Sequence, residues 1–414
     1  MSFRSVFIAL VIGFGLVLAG ALISRQRPSV ETERPSLSLI RASGKCAECH
    51  TRQQHSIVHE FELSAHAQKG INCLDCHQPA ADQEKHEHHG FTISKKLTSA
   101  NCRSCHETIY QQFLRSRHAA PSWAAVYGEE GLPADHVAFS ETYHPGGSKR
   151  AANALTSLEG SASILTGCVK CHEIGRPNDD GTIGSCTACH ARHTSSVEIA
   201  RLPTTCGQCH MGPDHSQLEI YNESKHGVLF AAQRDLLKLD RPASELTTRD
   251  MFLPTCATCH MSGLNGQKVT HDTSDRLSYW LFAEVSEKRP NYAQAQANMK
   301  ELCIQCHTPK QIEKVYTEAE AAVASTNEKV KGARDIMTAL RNDGVLTTGP
   351  FEQPIDFLYF DLWHYYGRTA KHGAFMGGQD FAQWHGSYPM LKHTVELKKM
   401  AEELRKSHDE PESP

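Results

Sequence analysis

The stretch CTACHARHTSSVEIARLPTTCGQCH, residues 186–210, contains two copies of the pattern Cys-x-x-Cys-His. The pattern occurs eight times in the chain and uses all 16 cysteines. The copies are Cys46-Cys49-His50, Cys73-Cys76-His77, Cys102-Cys105-His106, Cys168-Cys171-His172, Cys186-Cys189-His190, Cys206-Cys209-His210, Cys256-Cys259-His260 and Cys303-Cys306-His307. No cysteine is left over, and disulfide frameworks are typical of short secreted domains, so the pattern excludes a disulfide scaffold.

This pattern is the attachment site of c-type haem. Two thiols one helical turn apart bind the vinyl groups of one porphyrin, and the adjacent histidine then binds the iron. Paired Cys-x-x-Cys units also form zinc sites, and single units occur in redox enzymes, but neither requires a histidine after every pair. The sequence therefore predicts eight covalently bound haem c groups, one for each motif.

The composition agrees with a core that is built partly of porphyrin. Only 39% of the residues are hydrophobic and 7% are aromatic. Eight haems within residues 46–307 must pack on one another, which adds apolar surface to the core and forms a path for electrons. Strand signals are sparse, so we predict a mainly α fold with loops wrapped on the haems. The net charge of −4 gives no sign of nucleic-acid binding.

An uncharged apolar run opens the chain and covers residues 5–24. Its length suits a membrane-spanning helix, whereas Ala19-Gly20-Ala21 suits a signal-peptide cleavage site, and both alternatives remain open. Either one predicts a periplasmic or other extracytoplasmic location, anchored in the membrane or released. We assign residues 1–24 to this segment, 25–41 to a linker and 42–307 to an octahaem domain.

The region after the last motif reads as a C-terminal helical region, residues 308–407, followed by a charged tail, 408–414. A long amphipathic helix is predicted over residues 308–340, with Thr308 as its N-cap. A second helix is predicted over residues 356–372, closed by Gly373, and a third over 389–406. These helices predict a small bundle or an oligomerisation arm.

Bis-histidine haems need a second histidine each, and 18 of the 26 histidines lie outside the motifs. The predicted sixth ligands are His66, His89, His118, His193, His226, His271 and His372. His88 is an alternative to His89. His193 follows the fifth motif closely, and we place it on the same short helix.

Several stretches resemble the octahaem hydroxylamine oxidoreductase family. They are residues 186–227, which contain MGPDH after the sixth motif, EHHGFTIS at residues 87–94, and WHYYGRTAKHGAFMGGQDFAQWHGSY at residues 363–388. The resemblance implies a mainly α, extracytoplasmic and commonly trimeric protein. It also implies seven bis-histidine haems, and a fourth haem that lacks a protein sixth ligand and binds the nitrogen substrate.

Carried over to this chain, the resemblance makes the haem of Cys168-Cys171-His172 the candidate active site. Asp214 and His215 match the Asp-His pair of the family, which suits a proton relay near neutral pH. A surface turn, or His215 as one more iron ligand, remains an alternative for this pair. The resemblance also implies a tyrosine in the pocket, for which Tyr279 and Tyr292 are candidates.

One departure from the family concerns the direction of catalysis. Hydroxylamine-oxidising members cross-link the catalytic haem to a tyrosine of a neighbouring subunit, and the matching stretch here has Phe381. Tyr388 is an alternative partner. We therefore predict an enzyme that reduces nitrite or hydroxylamine, with a cytochrome or quinol-linked redox partner. The alternatives are hydroxylamine or hydrazine oxidation, pure electron transfer and sulfur-oxyanion reduction.

Overall fold

The computed structural model of the protein describes residues 44–410. The predicted N-terminal segment, the linker and the last four residues of the predicted tail lie outside this range. Among the described residues, no helix is both long and apolar enough to cross a membrane.

The described chain is mainly α-helical, as the sequence predicts, and most of its helices are short. The α-helices are Gly44–Gln53, His55–Glu62, Ala65–Gln68, Cys73–His77, Ser99–Leu114, Ala120–Tyr127, Ala134–Glu141, Ala154–Leu158, Ser161–Thr166, Cys168–His172, Val197–Arg201, Pro203–Gly207, Gln217–Glu223, Lys225–Gln233, Tyr292–Cys303, Pro309–Asn342, Pro354–Phe360, Arg368–Met376, Gln379–Ala382 and Tyr388–Asp409. The 3₁₀ turns are Glu129–Gly131, Glu173–Gly175, Cys186–Ala188, Arg234–Leu236 and Ala243–Glu245, and the π-helices are Thr258–Ser262, Asp361–Gly367 and Gln383–Ser387.

One short hairpin accounts for all the named strands of the described chain. Strands His86–His88 and Phe91–Ile93 pair antiparallel. His89 and Gly90 join them with φ angles of 50° and 84°. Two positive φ angles are the signature of the type I′ turn that matches the twist of a hairpin, so the stretch EHHGFTIS encodes this element.

The contacts divide the described chain into two compact units, residues 44–73 and 74–410. In the described part of the first unit, Ala47, Val58 and Ala67 are buried. The Ser64 side chain caps the helix Ala65–Gln68 by accepting a hydrogen bond of 3.1 Å from the Ala67 amide.

The C-terminal helices form the largest apolar cluster of the second unit. In Pro309–Asn342 the Thr308 hydroxyl accepts from the Gln311 amide, which confirms the predicted N-cap. The buried stripe of this helix is Ile312, Ala319, Val323, Val330, Met337 and Leu340. Its C-terminal half packs with Ile355, Leu362, Met390 and Leu397 from the helices that follow.

The second predicted C-terminal helix differs from the prediction in two ways. It runs past Gly373 to Met376, and Gly377 ends it with a φ of 77°. The reason is that Gly373 keeps helical backbone geometry, while the left-handed position that favours glycine falls four residues later. The helix is also interrupted by the π-helix Asp361–Gly367. The third helix begins at Tyr388 and extends to Asp409, slightly beyond the predicted bounds.

Candidate functional site

The histidine of the fourth motif is held in a defined orientation. Cys168–His172 forms a single helical segment. His172 Nδ1 lies 2.7 Å from the Ser122 carbonyl oxygen, and the Ser122 hydroxyl donates back to the His172 carbonyl at 3.3 Å. A metal-binding histidine commonly donates its second N–H to a carbonyl in this way. The contact leaves His172 Nε2 for iron.

The hairpin orients the histidine of the second motif by the same means. His77 Nδ1 lies 3.0 Å from the carbonyl oxygen of Ser94, the residue after the second strand. The His77 carbonyl also accepts from the Ser94 amide at 2.8 Å. The hairpin therefore fixes the side chain and the backbone of His77. His89, a predicted iron ligand in the turn of this hairpin, has its ring centroid 4.7 Å from that of His88.

Three predicted sixth ligands lie opposite motif histidines. The ring centroids are 5.9 Å apart for His118 and His210, 5.9 Å for His226 and His307, and 6.5 Å for His190 and His271. Imidazole nitrogen binds a metal ion at about 2 Å, so two rings on opposite sides of one iron have centroids roughly 6 Å apart. These three separations fit an iron between the rings.

The other predicted ligands have different surroundings. His66 lies on Ala65–Gln68 in the first compact unit, which also contains the first motif. The His372 ring packs 4.6 Å from Phe282, and its Nδ1 lies 2.8 Å from the Arg368 carbonyl oxygen.

The prediction that His193 shares a helix with the fifth motif is wrong. The 3₁₀ turn of that motif ends at Ala188, and His193 has a φ of 64°. The backbone reverses here because the Ser195 amide bonds the Ala191 carbonyl at 2.8 Å, which closes a tight turn. Histidine tolerates this left-handed conformation better than bulky or β-branched residues do.

Asp214 and His215 form a close pair beside the fourth motif. His215 Nδ1 lies 2.6 Å from Asp214 Oδ2. The His215 ring centroid is 6.4 Å from that of His172 and 6.0 Å from that of His210. The imidazole therefore lies next to the histidines of two motifs, with Nδ1 held by a carboxylate and Nε2 free for another role.

Two further residues complete the Asp214 cluster, and both escaped the sequence analysis. Arg368 donates to Asp214 Oδ1. His364 Nδ1 is 3.1 Å from the same oxygen, but this contact does not meet the geometry of a hydrogen bond. His364 lies within the π-helix Asp361–Gly367, and Arg368 is the first residue after it. The wider turn of a π-helix changes which side chains share a face.

Charge explains why Asp214 stays ionised in this cluster. Burial alone raises the pKa of Asp214, but the hydrogen bond from His215, the charge of a protonated His215 and the Arg368 cation outweigh it. The net effect lowers the pKa well below its usual value. For His364, burial and the Arg368 cation lower the pKa to about 3, so this ring is neutral near pH 7.

A cavity of about 510 Å³ adjoins the loop that carries Asp214 and His215. Its lining includes Pro213, Ser216, Tyr365, Tyr366, Phe381 and His385. The Phe381 ring stacks on His385 with centroids 4.3 Å apart. The family-based candidates for a pocket tyrosine, Tyr279 and Tyr292, do not line this cavity; their ring centroids are 5.6 Å apart, and the Tyr292 hydroxyl donates to Glu320. The tyrosines that line this cavity are Tyr365 and Tyr366 instead.

The cysteines of different motifs lie against one another in a definite order. The thiols of Cys102 and Cys186, of Cys171 and Cys209, and of Cys206 and Cys256 lie close enough that one member of each pair shifts the pKa of the other. The partner thiol and burial raise the pKa of Cys102 and Cys206, and burial and the partner thiol raise that of Cys209. Electrostatic contacts join Cys76 with Cys105, Cys189 with Cys206, and Cys259 with Cys303. The resulting order is motif two, three, five, six, seven and eight, with motif four branching from motif six.

Comparison with known proteins identifies the family. The profile described as "Seven times multi-haem cytochrome CxxCH" matches residues 69–354. The chain belongs to this family. It is therefore a multihaem cytochrome with covalently bound c-type haem and a redox function.

Individual relatives extend this assignment. A probable nitrite reductase-hydroxylamine oxidoreductase fusion protein of Kuenenia stuttgartiensis is 28% identical over 250 residues, which cover 52% of this chain. The chain spans 25% of the length of that curated relative. The multihaem cytochrome is thus related to proteins of the nitrite reductase and hydroxylamine oxidoreductase type.

Two solved structures share the mainly α multihaem fold. A hypothetical multiheme protein aligns with a TM-score of 0.75 at 20% identity and covers 91% of this chain and 100% of its own. A reducing HAO-like protein complex of Kuenenia stuttgartiensis aligns with a TM-score of 0.66 at 21% identity, covering 88% of this chain and 85% of its own.

The residues present fit c-type haem. All 16 cysteines are free of disulfides, although several lie against one another. The buried Nδ1 atoms of His260 and His271 have no hydrogen-bond partner among the described residues. His172 and His77 have Nδ1 anchored on carbonyl oxygens and Nε2 available. This is the donor set that covalent attachment and axial ligation require.

Proposed function

We propose that the protein is an extracytoplasmic octahaem c-type oxidoreductase of small nitrogen compounds, and that it reduces nitrite or hydroxylamine. Cys168, Cys171 and His172 would hold the catalytic haem, which would supply the substrate-binding position and the electrons. The observation that carries the proposal is the Asp214–His215 pair, held at 2.6 Å with its imidazole 6.4 Å from the His172 ring.

The protein's own residues manage protons at this site. Asp214 accepts from His215 Nδ1–H, which leaves Nε2 to exchange a proton with the substrate. Arg368 keeps Asp214 ionised and in place. Reduction of nitrite consumes protons, and an imidazole oriented by a carboxylate supplies them as a general acid near neutral pH.

The other seven motifs would hold haems that conduct electrons, each with a second histidine as a proposed ligand. The proposed sixth ligands are His66, His89, His118, His193, His226, His271 and His372. The ring separations of His118, His226 and His271 from motif histidines support three of them. The order of cysteine contacts supports electron flow along motifs two, three, five, six, seven and eight, with the fourth fed through the sixth.

Phe381 supports the reductive direction. It lines the cavity beside the Asp214 loop and has no phenol oxygen with which to form a cross-link. Tyr388, at the start of the last helix and 53% exposed, stays the alternative partner for a bond to a neighbouring copy. Without a cross-link that distorts the catalytic haem, we infer reduction rather than oxidation of hydroxylamine or hydrazine.

A pure electron-transfer cytochrome is the second candidate function. The 6.4 Å separation of the His172 and His215 rings is also compatible with an iron between them. In that case His215 fills the sixth position of the fourth haem and leaves no site for a substrate. The hydrogen bond to Asp214 suits both roles, because iron-binding histidines also donate their second N–H to an oxygen. The match of Asp214 and His215 to the Asp-His pair of the hydroxylamine oxidoreductase family favours the catalytic role.

The assembly and its location follow from the same proposal. We propose a homotrimer in the periplasm that receives electrons from a cytochrome or a quinol-linked protein, with membrane attachment or release of the N-terminal segment both open. An exposed apolar stripe on the last helices supports contact between copies. Its residues are Trp384, Tyr388, Leu391 and Val395.

The direction of catalysis has a direct assay. Purified holoprotein is supplied anaerobically with a reduced viologen and nitrite, and separately with an oxidant and hydroxylamine. We expect nitrite reduction to be the faster reaction. Faster hydroxylamine oxidation, together with a haem–tyrosine adduct in peptide mass spectra, would overturn the reductive assignment.

A further inference from the structure

Two arginines enclose one tryptophan on the side of the second unit that carries His118 and His271. The guanidinium carbon of Arg289 lies 4.5 Å from the Trp280 ring centroid, and that of Arg117 lies 5.1 Å from it. Arg289 is buried, with 5% of its surface exposed. Each cation gains some energy from the ring, but the two positive charges repel each other across it.

No carboxylate of the described chain forms an ion pair with either guanidinium. Arg289 donates to the carbonyl oxygens of Ser274 and Leu277, and its Nε is buried without a partner. The His144 ring is a further polar neighbour, with its Nδ1 3.3 Å from Arg289 Nη2. The carboxylates of Asp272 and Asp275 act on Arg289, and that of Glu141 acts on Arg117, only through space and without an ion pair. Burial and the two arginines lower the pKa of His144 to about 3, so it contributes no negative charge.

Buried guanidiniums that no anion bonds directly are costly, and an orphaned N–H adds to that cost. An anion that bonds both guanidiniums removes both penalties. Arg276 shows the alternative solution in this chain, because carbonyl oxygens of Cys259 and Lys268 bind its guanidinium at 2.8 Å. Among the described residues, no carbonyl oxygen accepts a hydrogen bond from the Arg117 guanidinium.

The position of the two arginines identifies the anion. Arg117 directly precedes His118, whose ring lies 5.9 Å from that of His210 in the sixth motif. The Arg117 amide donates to Ser274 Oγ at 3.1 Å. Ser274 lies three residues after His271, whose ring lies opposite that of His190 in the fifth motif. The cluster thus lies beside two haem sites, and every haem carries propionate carboxylates.

We propose that Arg117 and Arg289 together bind a haem propionate, from the haem of either the sixth or the fifth motif. Guanidinium binds carboxylate through paired N–H donors, which makes arginine the suited residue. The two cations then hold the potential of that haem high, since positive charge near the iron favours the reduced state. The proposal requires haem at these motifs but not catalysis at the fourth, so the two proposals fail independently.

The test is a spectroelectrochemical titration of the holoprotein carrying Arg117→Gln. We expect one low-spin haem to titrate at a more negative potential, while Arg117→Lys, which keeps the charge, leaves the titration close to that of the wild type. Arg249→Gln removes an exposed arginine and is the control, with no shift expected.

A second substitution identifies the haem. Methionine as an axial ligand raises a haem potential, so His118→Met marks the sixth-motif haem and His271→Met marks the fifth. The shifted component must coincide with one of the two. The proposal is overturned if Arg117→Gln and Arg117→Lys change the titration equally, which indicates a packing role, or if Arg117→Gln leaves every potential unchanged.

Discussion

Asp214→Asn is expected to lower the rate of nitrite reduction by about 10²- to 10⁴-fold, the usual contribution of a positioned acid–base group. The amide N–H that this substitution introduces can donate to His215 Nδ1, which places the imidazole proton on the wrong nitrogen. The substitution also removes the charge that Arg368 neutralises. The haem absorption spectrum should be unchanged, because no iron ligand is altered.

A matched control exists at the end of the last helix. His408 Nδ1 lies 3.5 Å from Asp409 Oδ1, and both side chains are exposed. Asp409→Asn makes the same chemical change in an adjacent Asp-His pair far from any motif in the sequence, and the rate should stay the same. Equal rates for the wild type and Asp214→Asn would refute the proton-relay role.

His118→Ala is expected to convert one low-spin haem to the high-spin state. The His118 and His210 rings lie 5.9 Å apart, which suits an iron between them, and alanine offers no ligand. Burial lowers the pKa of His118 to about 3, so the ring is a neutral donor across the physiological range. Since the sixth motif joins the fourth to the rest of the chain of haems, nitrite reduction should also slow.

The control for this substitution is His136→Gln. His136 Nε2 contacts the Gly181 carbonyl oxygen at 2.9 Å near the surface and faces no motif histidine in the described structure. Optical and magnetic spectra of both variants, recorded in the oxidised state, give the comparison. A fully low-spin spectrum for His118→Ala would remove His118 from the ligand set.

Short-range signals in the sequence account for the parts of the fold that were predicted. The Cys-x-x-Cys-His spacing identified the attachment sites, and the cap at Thr308 with its apolar periodicity defined the start of Pro309–Asn342. Over the haem-binding residues most of the helices are short and carry little periodicity, as expected where bound porphyrin would supply many of the apolar contacts. In this part of the chain the Cys-x-x-Cys-His motifs predict the haem attachment sites, whereas the spacing of apolar residues does not predict the helices.

The parts that escaped prediction depend on distant contacts or unusual backbone geometry. Arg368 and His364 are remote from Asp214 in sequence, and only the folded chain brings them together. The π-helix Asp361–Gly367 has no clear sequence signature, and it alters the spacing of the side chains around it. His193 takes a left-handed backbone conformation that helical periodicity cannot reveal.

Electron paramagnetic resonance of the oxidised holoprotein, recorded with and without nitrite, tests the central claim most directly. A fourth haem with an open position predicts one high-spin ferric signal among low-spin bis-histidine signals, and this signal should change when nitrite binds. His215→Ala should leave the high-spin signal in place. A spectrum that is entirely low-spin and insensitive to nitrite would contradict the account and make the protein an electron-transfer cytochrome.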